Sequence, residues 1–298
     1  MQSVPTAPTV PTARPSPTVL ELNAGPLRLA LRPDLGAAIA GLWRGGLPVL
    51  YSAEPAALTT PRPSGGFVLA PYSNRLGGRR FDWQGQAFTT AANTAGSPHS
   101  LHGLAWARPW SVVSVGADQA ELLLDHTPDA DWPFAFTLHQ RLWLTPGALK
   151  IELRFLNTDA RAQPVGLGWH PFFHKRAHSH LQIDLSHRWH SDPVSQLPSR
   201  LLPQPGIDAD VAQLALDHCF EGWRGAALIR DEALSLRLSA SLPYLVVYTP
   251  ADLPYFCVEP VSHVNNAVQM ARPSAHGLCD LAAGATLAAF FLLEVVPA

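Results

Sequence analysis

Residues 149–155 have the sequence LKIELRF, in which apolar and charged side chains alternate without a fault. Successive side chains of a β-strand point to opposite faces, so this stretch predicts a strand with one buried and one solvated face. Residues 234–239 (LSLRLS) repeat the pattern, and Phe134, Phe136 and Leu138 predict the start of a third strand. A period of two favours an all-β fold.

Turn sequences separate several of these predicted strands. The predicted strands at residues 112–115 and 121–124 flank the polar sequence GADQ at residues 116–119. Those at residues 81–83 and 86–88 flank the Gln-Gly pair at residues 84–85. Short polar or glycine-containing links between apolar runs are typical of hairpins. We therefore expect two antiparallel hairpins here.

Helical patterns are weak along the whole chain. We expect at most two turns over residues 208–216 and one or two over residues 264–270, whereas residues 244–248 and 287–296 are predicted as fully buried strands. The 29 prolines remove backbone donors and interrupt helices. Without a linker or repeat inside residues 19–298, the sequence predicts one large antiparallel β-sandwich domain.

Composition excludes several classes of function. The 298 residues include 21 Lys and Arg and 23 Asp and Glu, a formal charge of −2, whereas nucleic-acid binders usually carry a basic excess. Cys219, Cys257 and Cys279 contain no CxxC motif, which argues against a disulfide scaffold and a zinc ribbon. The signatures of P-loop, GxSxG, HExxH and GxGxxG proteins are absent from the sequence.

The first 18 residues, MQSVPTAPTVPTARPSPT, are rich in Pro and Thr and lack the apolar centre of a signal peptide. We expect them to form a disordered tail. The longest apolar run, at residues 287–293, is far shorter than the ~18 residues that span a bilayer. A cytoplasmic protein with no membrane partner is the expectation.

Two segments combine turn residues with hydrogen-bonding side chains. Asn74 and Arg75 precede a Gly-Gly pair; either they form a solvated turn, or Arg75 binds hydroxyls or a carboxylate in a cleft. His102 precedes a glycine and lies near Trp106 and Trp110 in sequence. Aromatic faces pack on the C–H faces of sugars, so this segment suits a sugar site. Taken alone, however, these residues favour the alternative that both tryptophans belong to the core and His102 is a buried histidine with its hydrogen bonds satisfied.

Two further segments place ionisable groups in apolar surroundings. His170 precedes a proline, which favours extended backbone, and alternation places it on the same side as Gly168 and Phe172. Glu259 ends an apolar strand and is followed by proline. A carboxylate there is costly unless it is paired or functional, although it can also emerge into a solvated loop.

Two other patterns are weaker candidates. Six histidines lie within residues 170–190, and His174 and His178 have the i, i+4 spacing of metal ligands. That spacing brings side chains together only on a helix, and the sequence predicts strand and loop, so surface histidines are favoured over a metal cluster. The Asp-His-Cys sequence at residues 217–219 is not a triad, because adjacent residues of a strand point in opposite directions.

Together these segments resemble the aldose 1-epimerase (galactose mutarotase) family, from about Leu20 to the C-terminus. The resemblance rests on five motifs in the family's order: Asn74-Arg75, Leu101-His102-Gly103, Gly168-Trp169-His170-Pro171-Phe172-Phe173, Leu216-Asp217-His218-Cys219-Phe220 and Val258-Glu259-Pro260. It implies a large antiparallel β-supersandwich that needs no cofactor and no metal.

The resemblance also implies roles for six residues. Glu259 corresponds to the general base, His170 to the general acid, and His102 to a second histidine beside the ring or anomeric oxygen. The sugar-binding set that it implies comprises Arg75, Asn74 and Asp217.

The expected activity is an isomerase that interconverts the α and β anomers of a free aldose, a hexose such as glucose or galactose. Ring opening needs a base and an acid, which we expect on opposite sides of one hemiacetal. Three alternatives stay open: a hexose-6-phosphate mutarotase, for which the sequence offers no basic cluster beyond Arg79 and Arg80 to bind a phosphate; a non-catalytic carbohydrate-binding protein; and a histidine-rich metal enzyme. A small monosaccharide is the expected partner; the sequence leaves the oligomeric state undetermined.

Overall fold

A computed structural model describes residues 19–297 of the chain, except residue 63, and the predicted tail at residues 1–18 lies outside this part. The strands of the described part are β1 (Leu20–Ala24), β2 (Leu27–Arg32), β3 (Ala38–Arg44), β4 (Leu47–Pro48), β5 (Gly66–Leu69), β6 (Arg75–Leu76), β7 (Arg80–Trp83), β8 (Gln86–Thr89), β9 (Ser100–Leu101), β10 (Ser111–Val115), β11 (Gln119–His126), β12 (Phe136–Thr145), β13 (Ala148–Asn157), β14 (Gln163–Val165), β15 (Gly168–His174), β16 (His180–Ile183), β17 (His187–Ser191), β18 (Pro198–Pro203), β19 (Ile207–Asp210), β20 (Asp217–Glu221), β21 (Ala226–Arg230), β22 (Leu234–Ala240), β23 (Tyr244–Tyr248), β24 (Tyr255–Val261), β25 (Cys279–Leu281) and β26 (Thr286–Pro297). Short 3₁₀ turns occupy Pro33–Leu35, Pro55–Ala57, Gly77–Arg79, Ala105–Ala107, Val211–Gln213, Ala267–Gln269 and Pro273–His276.

Two large antiparallel sheets organise the described residues. The first has eleven strands in the order β1-β2-β3-β5-β15-β24-β23-β20-β17-β18, with β4 paired to β3. The second has nine strands in the order β10-β11-β12-β13-β26-β22-β21-β16-β19. This architecture confirms the predicted all-β antiparallel sandwich.

The strands predicted from alternation are present. Residues 149–155 lie in β13, whose side chains alternate between buried and solvated positions, and residues 234–239 lie in β22. Both predicted hairpins also form, as β7–β8 and β10–β11. The third predicted strand begins at Phe136 instead of Phe134, which is buried just before it.

Two other expectations were wrong. Residues 287–296 lie in β26, but that strand is not fully buried, since Phe290 and Val296 are 45% and 56% exposed. Its outer face points to water because the second sheet is covered on one side only. Over residues 208–216 the expected two turns reduce to one 3₁₀ turn at Val211–Gln213, because residues 207–210 extend as an edge strand paired with β16. Residues 264–270 do contain one short turn, a 3₁₀ turn at Ala267–Gln269. No helix in the described residues has the length and apolar character needed to cross a membrane.

The first sheet has two different faces. One face packs against the second sheet and joins a large apolar core, in which Trp169 of β15 meets Phe291 of β26 with ring centroids 6.0 Å apart. The opposite face carries a smaller apolar cluster that includes Phe67, Phe172 and Cys257. Because side chains alternate along each strand, every central strand supplies both faces. The second face holds the cleft described next.

Candidate active site

The register of the central strands assembles the floor of a cleft. His170 on β15 pairs with Phe67 on β5, and lies opposite Glu259 of β24, between the registered pairs Gly168–Val261 and Phe172–Cys257. Glu259 pairs in turn with Val246 on β23. Directly opposite residues of neighbouring strands have adjacent side chains on the same face, so the sheet itself brings the imidazole and the carboxylate together.

Glu259 and His170 are in direct contact. The His170 Nε2 atom lies 3.3 Å from Glu259 Oε1, and the two residues are 7% and 2% exposed, respectively. The two groups therefore lie side by side on the cleft floor. Glu259 Oε2 and His170 Nδ1 have no hydrogen-bond partner among the described residues. Both residues line the cleft.

Burial sets the protonation of this pair. Loss of water raises the pKa of Glu259 well above its usual range, and the negative charge of Asp217 adds to this effect. Burial, aided by the positive charge of Arg62, lowers the pKa of His170 well below its usual range. These opposite shifts favour a neutral carboxylic acid beside a neutral imidazole, because each charged form would lose its hydration. The directions of both shifts thus favour a pair that holds one proton in total.

A loop pairs Asn74 with His102 at the side of the cleft. The backbone N–H of Asn74 donates to His102 Nδ1 at 3.1 Å, and the backbone N–H of His102 donates to the Asn74 carbonyl at 2.9 Å. Burial, with the nearby imidazole of His170, lowers the pKa of His102 well below its usual range. Because Nδ1 accepts, the neutral ring carries its proton on Nε2. His102 is thereby fixed as a donor.

This loop needs unusual backbone. Asn74 and His102 have φ angles of 56° and 63°, in the left-handed region. Gly103 follows at φ 65°, and a Cβ there would lie 2.2 Å from the carbonyl oxygen of Ala70. Only glycine can occupy such a position, which gives a structural reason for the His-Gly step that the sequence displays.

His263 supports the same loop from behind. Its Nε2 accepts the backbone N–H of Ser73 at 3.1 Å, and its Nδ1 donates to the carbonyl of Val264 at 2.7 Å. Burial lowers the pKa of His263 to about 4, so the ring stays neutral and keeps its acceptor. No motif in the sequence pointed to this residue, since nothing in its neighbours distinguishes it from a surface histidine.

Arg75 and Asp217 meet at the rim of the cleft. An Arg75 Nη2 atom lies 3.5 Å from Asp217 Oδ2, while Asn74 Oδ1 accepts from the backbone N–H and Nη1 of Arg75. The Arg75 side chain is 18% exposed and that of Asp217 is 46% exposed. Both groups therefore keep hydrogen-bonding capacity for a ligand.

All six residues predicted from the sequence line this one cleft, which has a volume of about 260 Å³. That is slightly below the ~300–1,000 Å³ of pockets for drug-sized ligands, as suits a smaller molecule. The cleft is also lined by six residues that the sequence analysis did not assign to it: Arg62, Leu101, Phe172, Val246, Tyr248 and Tyr255. Tyr248 and Tyr255 lie near strand ends and had no motif around them.

The two tryptophans near His102 do not line the cleft. Trp110 is buried in the core between the sheets, and Trp106 packs against Phe67 behind the cleft, so neither lines it. Phe172 and the two tyrosines are the aromatic residues that face the cleft. The sequence placed the tryptophans near His102 but could not show which way the 3₁₀ turn at Ala105–Ala107 directs them.

The described residues contain one group with metal-like geometry. Donor atoms of His170, Cys257 and Glu259 lie within 4.8 Å of one another, so these residues could hold an ion. In the histidine-rich stretch, the described part shows no such group; His180 instead contacts Asp208 and Asp210 at 2.7 and 2.9 Å on the exposed edge. The two carboxylates raise the pKa of His180 through hydrogen bonds.

The Asp-His-Cys sequence does not form a nucleophilic triad. Along β20, Asp217 lines the cleft, whereas Cys219 is buried and its pKa is raised to about 12 by the loss of water. A thiol with that pKa is not a nucleophile at neutral pH.

Comparison with known proteins places these features in a family. A sequence model described as "Aldose 1-epimerase" matches residues 18–292. The uncharacterized protein YphB of Escherichia coli (strain K12) is 29% identical over 297 residues, covering 93% of this chain and 99% of YphB.

Solved structures share the fold. A galactose mutarotase-like protein from Clostridium acetobutylicum superposes with a TM-score of 0.83 at 18% identity, covering 96% of this chain and 100% of that one. Galactose 1-epimerase from Lactobacillus acidophilus NCFM gives a TM-score of 0.78 at 16% identity, with 94% and 95% coverage. Since the family model spans nearly all of the described residues, the chain belongs to the aldose 1-epimerase family.

Proposed function

We propose that the protein is an aldose 1-epimerase, which interconverts the α and β anomers of a monosaccharide by acid–base ring opening and closure. One observation carries this proposal. Glu259 and His170 are buried side by side, 3.3 Å apart, on the floor of an open cleft whose rim offers Arg75 and Asp217. Buried ionisable groups in a cleft are typical of acid–base catalysis.

The number of protons on the pair matches the reaction. Ring opening removes a proton from the C1 hydroxyl and adds one to the ring oxygen, so the catalyst gains one proton and gives up one. A pair with a single proton can do both, because the carboxylate and imidazolium together hold as many protons as the carboxylic acid and imidazole. Opposite pKa shifts of Glu259 and His170 support a one-proton resting pair.

The side-by-side geometry suits the two reacting oxygens. O1 and the ring oxygen are both bonded to C1, so neighbouring groups on one floor can reach both at once. The shared proton first passes from the Glu259 carboxyl to His170, which gives the carboxylate–imidazolium form of the pair. The carboxylate then takes the proton of the C1 hydroxyl while the imidazolium protonates the ring oxygen and the C1–O5 bond breaks. The free aldehyde rotates about C1–C2, and closure on the other face returns both protons. Each such group contributes about 10²–10⁴-fold to the rate.

The remaining residues hold the sugar in position. The Nε2 proton of His102 is directed as a donor to the ring or anomeric oxygen, since its Nδ1 is occupied by Asn74. Arg75 and Asp217 offer a donor and an acceptor to ring hydroxyls. Asn74 orients Arg75 through its side-chain oxygen. Fixing the hydroxyls keeps the reacting oxygens within hydrogen-bond reach of the pair.

The test is an anomerisation panel over free hexoses, pentoses and hexose 6-phosphates, followed by NMR exchange or polarimetry with uncatalysed rates subtracted. We expect faster interconversion of at least one aldose. Acceleration confined to hexose 6-phosphates would select the phosphate-specific alternative. Binding of sugars without any acceleration would select a non-catalytic binding protein, and activity that a chelator abolishes would select a metal enzyme.

A further inference from the structure

Arg62 is a second guanidinium in the cleft, and no sequence motif identified it. It lies between the 3₁₀ turn at Pro55–Ala57 and β5, and it lines the cleft together with the acid–base pair. Its guanidinium carbon lies 4.6 Å from the ring centre of Trp106 and 5.6 Å from that of Phe67. Stacking of this kind fixes the plane of the guanidinium and restricts its motion.

The guanidinium lacks partners within the described part of the chain. Its Nε and Nη2 atoms are buried without any hydrogen bond. The two carboxylates of the cleft are engaged elsewhere, since Asp217 pairs with Arg75 and Glu259 lies against His170. A buried donor without an acceptor is costly, and a charged one more so, unless a ligand supplies the acceptor.

The charges of the cleft do not cancel. With one proton shared between them, Glu259 and His170 together carry no net charge, and Arg75 and Asp217 neutralise each other. Arginine stays protonated in proteins, so Arg62 leaves the lining with one positive charge in excess. The other lining residues are uncharged at neutral pH: Asn74, Leu101, His102, Phe172, Val246, Tyr248 and Tyr255.

We infer that Arg62 is a specificity-determining residue, which selects an aldose that carries an acidic substituent such as a carboxylate or a phosphate. This inference rests on the proposed function and specifies its substrate class. A neutral sugar offers hydroxyls but leaves the excess charge uncompensated, whereas an acidic group supplies both a counter-charge and acceptors in the planar arrangement that arginine binds best. Trp106, which lies behind the guanidinium, holds it for that contact.

The experiment compares matched sugars that differ in one group: galactose with galacturonate, and glucose with glucose 6-phosphate. Rates of anomerisation are measured for the wild type, Arg62→Met, Arg62→Lys and the control Arg80→Met, whose exposed arginine lies outside the cleft. We expect the wild type to prefer an acidic sugar of one of these pairs. Arg62→Met should lower kcat/KM for that sugar roughly 10- to 100-fold, the size of a charge-assisted hydrogen bond.

The ratio of kcat/KM values for the acidic and neutral sugars is the decisive measurement. If Arg62 only supported the structure of the cleft, its replacement would leave this ratio unchanged. The expected result is that Arg62→Met erases the acidic preference, because it lowers kcat/KM for the acidic sugar far more than for its neutral partner; Arg62→Lys keeps part of the preference, and Arg80→Met keeps all of it. The galacturonate and phosphate arms decide which acidic group is bound. A wild type that handles neutral sugars equally well, or an Arg62→Met variant that slows both partners equally, overturns the inference and leaves the proposed function standing. Failure of the wild type to accelerate any aldose defeats the proposed function, and the inference with it.

Discussion

The two faces of the eleven-stranded sheet differ although the same strands build both. On β15, Trp169 and Phe173 point into the core between the sheets, while His170 and Phe172 point into the cleft. Strand β24 repeats the division, with Val258 in the core and Glu259 in the cleft. Adjacent residues of one strand therefore belong to the core and to the cleft in turn, because successive side chains point to opposite faces of the sheet.

The difference between the faces lies in what burial costs. On the core face, burial of apolar side chains stabilises the fold by roughly 25 cal/mol per Å². On the cleft face, burial deprives Glu259 and His170 of hydration, which shifts their pKa values in opposite directions. The first face contributes stability, and the second holds groups in protonation states that water would not favour. Three predictions separate the two contributions.

The largest effect is expected from Glu259→Gln on the cleft face. Glutamine keeps the size of the side chain but cannot exchange a proton, so the rate of anomerisation should fall about 10²–10⁴-fold. The thermal midpoint should be retained or raised, because an ionisable group no longer has to be buried. Polarimetry and thermal unfolding measure the two quantities.

His170→Asn serves as the partner variant of the same test. We expect a loss of similar size, and the double variant should be little worse than either single one, because the two groups act as a unit. Unchanged turnover in Glu259→Gln would remove the proposed base.

A substitution on the core face should have the opposite effect, a loss of stability with little loss of activity. Phe173 packs against Phe256 with ring centroids 5.7 Å apart, and truncation to alanine should lower the free energy of unfolding by about 3–5 kcal/mol. Activity per folded molecule should stay close to that of the wild type. Urea unfolding and active-fraction assays measure both, and Phe173→Leu provides a milder variant if the alanine protein does not fold. A loss of activity with unchanged stability would show that the faces are not separable.

A smaller effect concerns pH. The one-proton pair exists at pH values above the lowered pKa of His170 and below the raised pKa of Glu259. As pH falls through the first, the pair gains a second proton and loses its base; as pH rises through the second, it loses its only proton and its acid. The pH dependence of kcat/KM should thus be bell-shaped, with a broad plateau around neutral pH.

One shape of the pH–rate profile would contradict the proposed one-proton pair. A rate that rises continuously with pH would indicate that a single deprotonated base suffices. The Phe173→Leu protein is the control, since a core-face change should lower stability without displacing either limb of the curve.

Much of the fold could be predicted because its signal is local. The alternation at residues 149–155 follows from the geometry of a single strand, and the hairpins follow from their turn residues. The solvent exposure of one face of β26 could not be predicted, since Phe290 and Val296 are apolar and only the position of the strand in its sheet exposes them.

The site divides in the same way. Its six predicted residues lie in short motifs that the family resemblance connects, and the structure brings all six side chains to one cleft, while their roles stay predictions. Arg62 lies outside every motif, and the tryptophans near His102 turned out to point away from the cleft. Such directions depend on loops, whose course is set by contacts distant in sequence.

By itself, the sequence determined that the chain forms antiparallel strands and that an imidazole and a carboxylate stand in apolar surroundings, because side-chain alternation and burial preferences act over a few residues. Only the tertiary structure decided that these two groups lie side by side and that Arg62 lines the same cleft with its Nε and Nη2 atoms unpartnered in the described part of the chain. Register between strands and the packing of a loop against Trp106 fix those distances, and both arise from residues more than 40 positions apart in the chain.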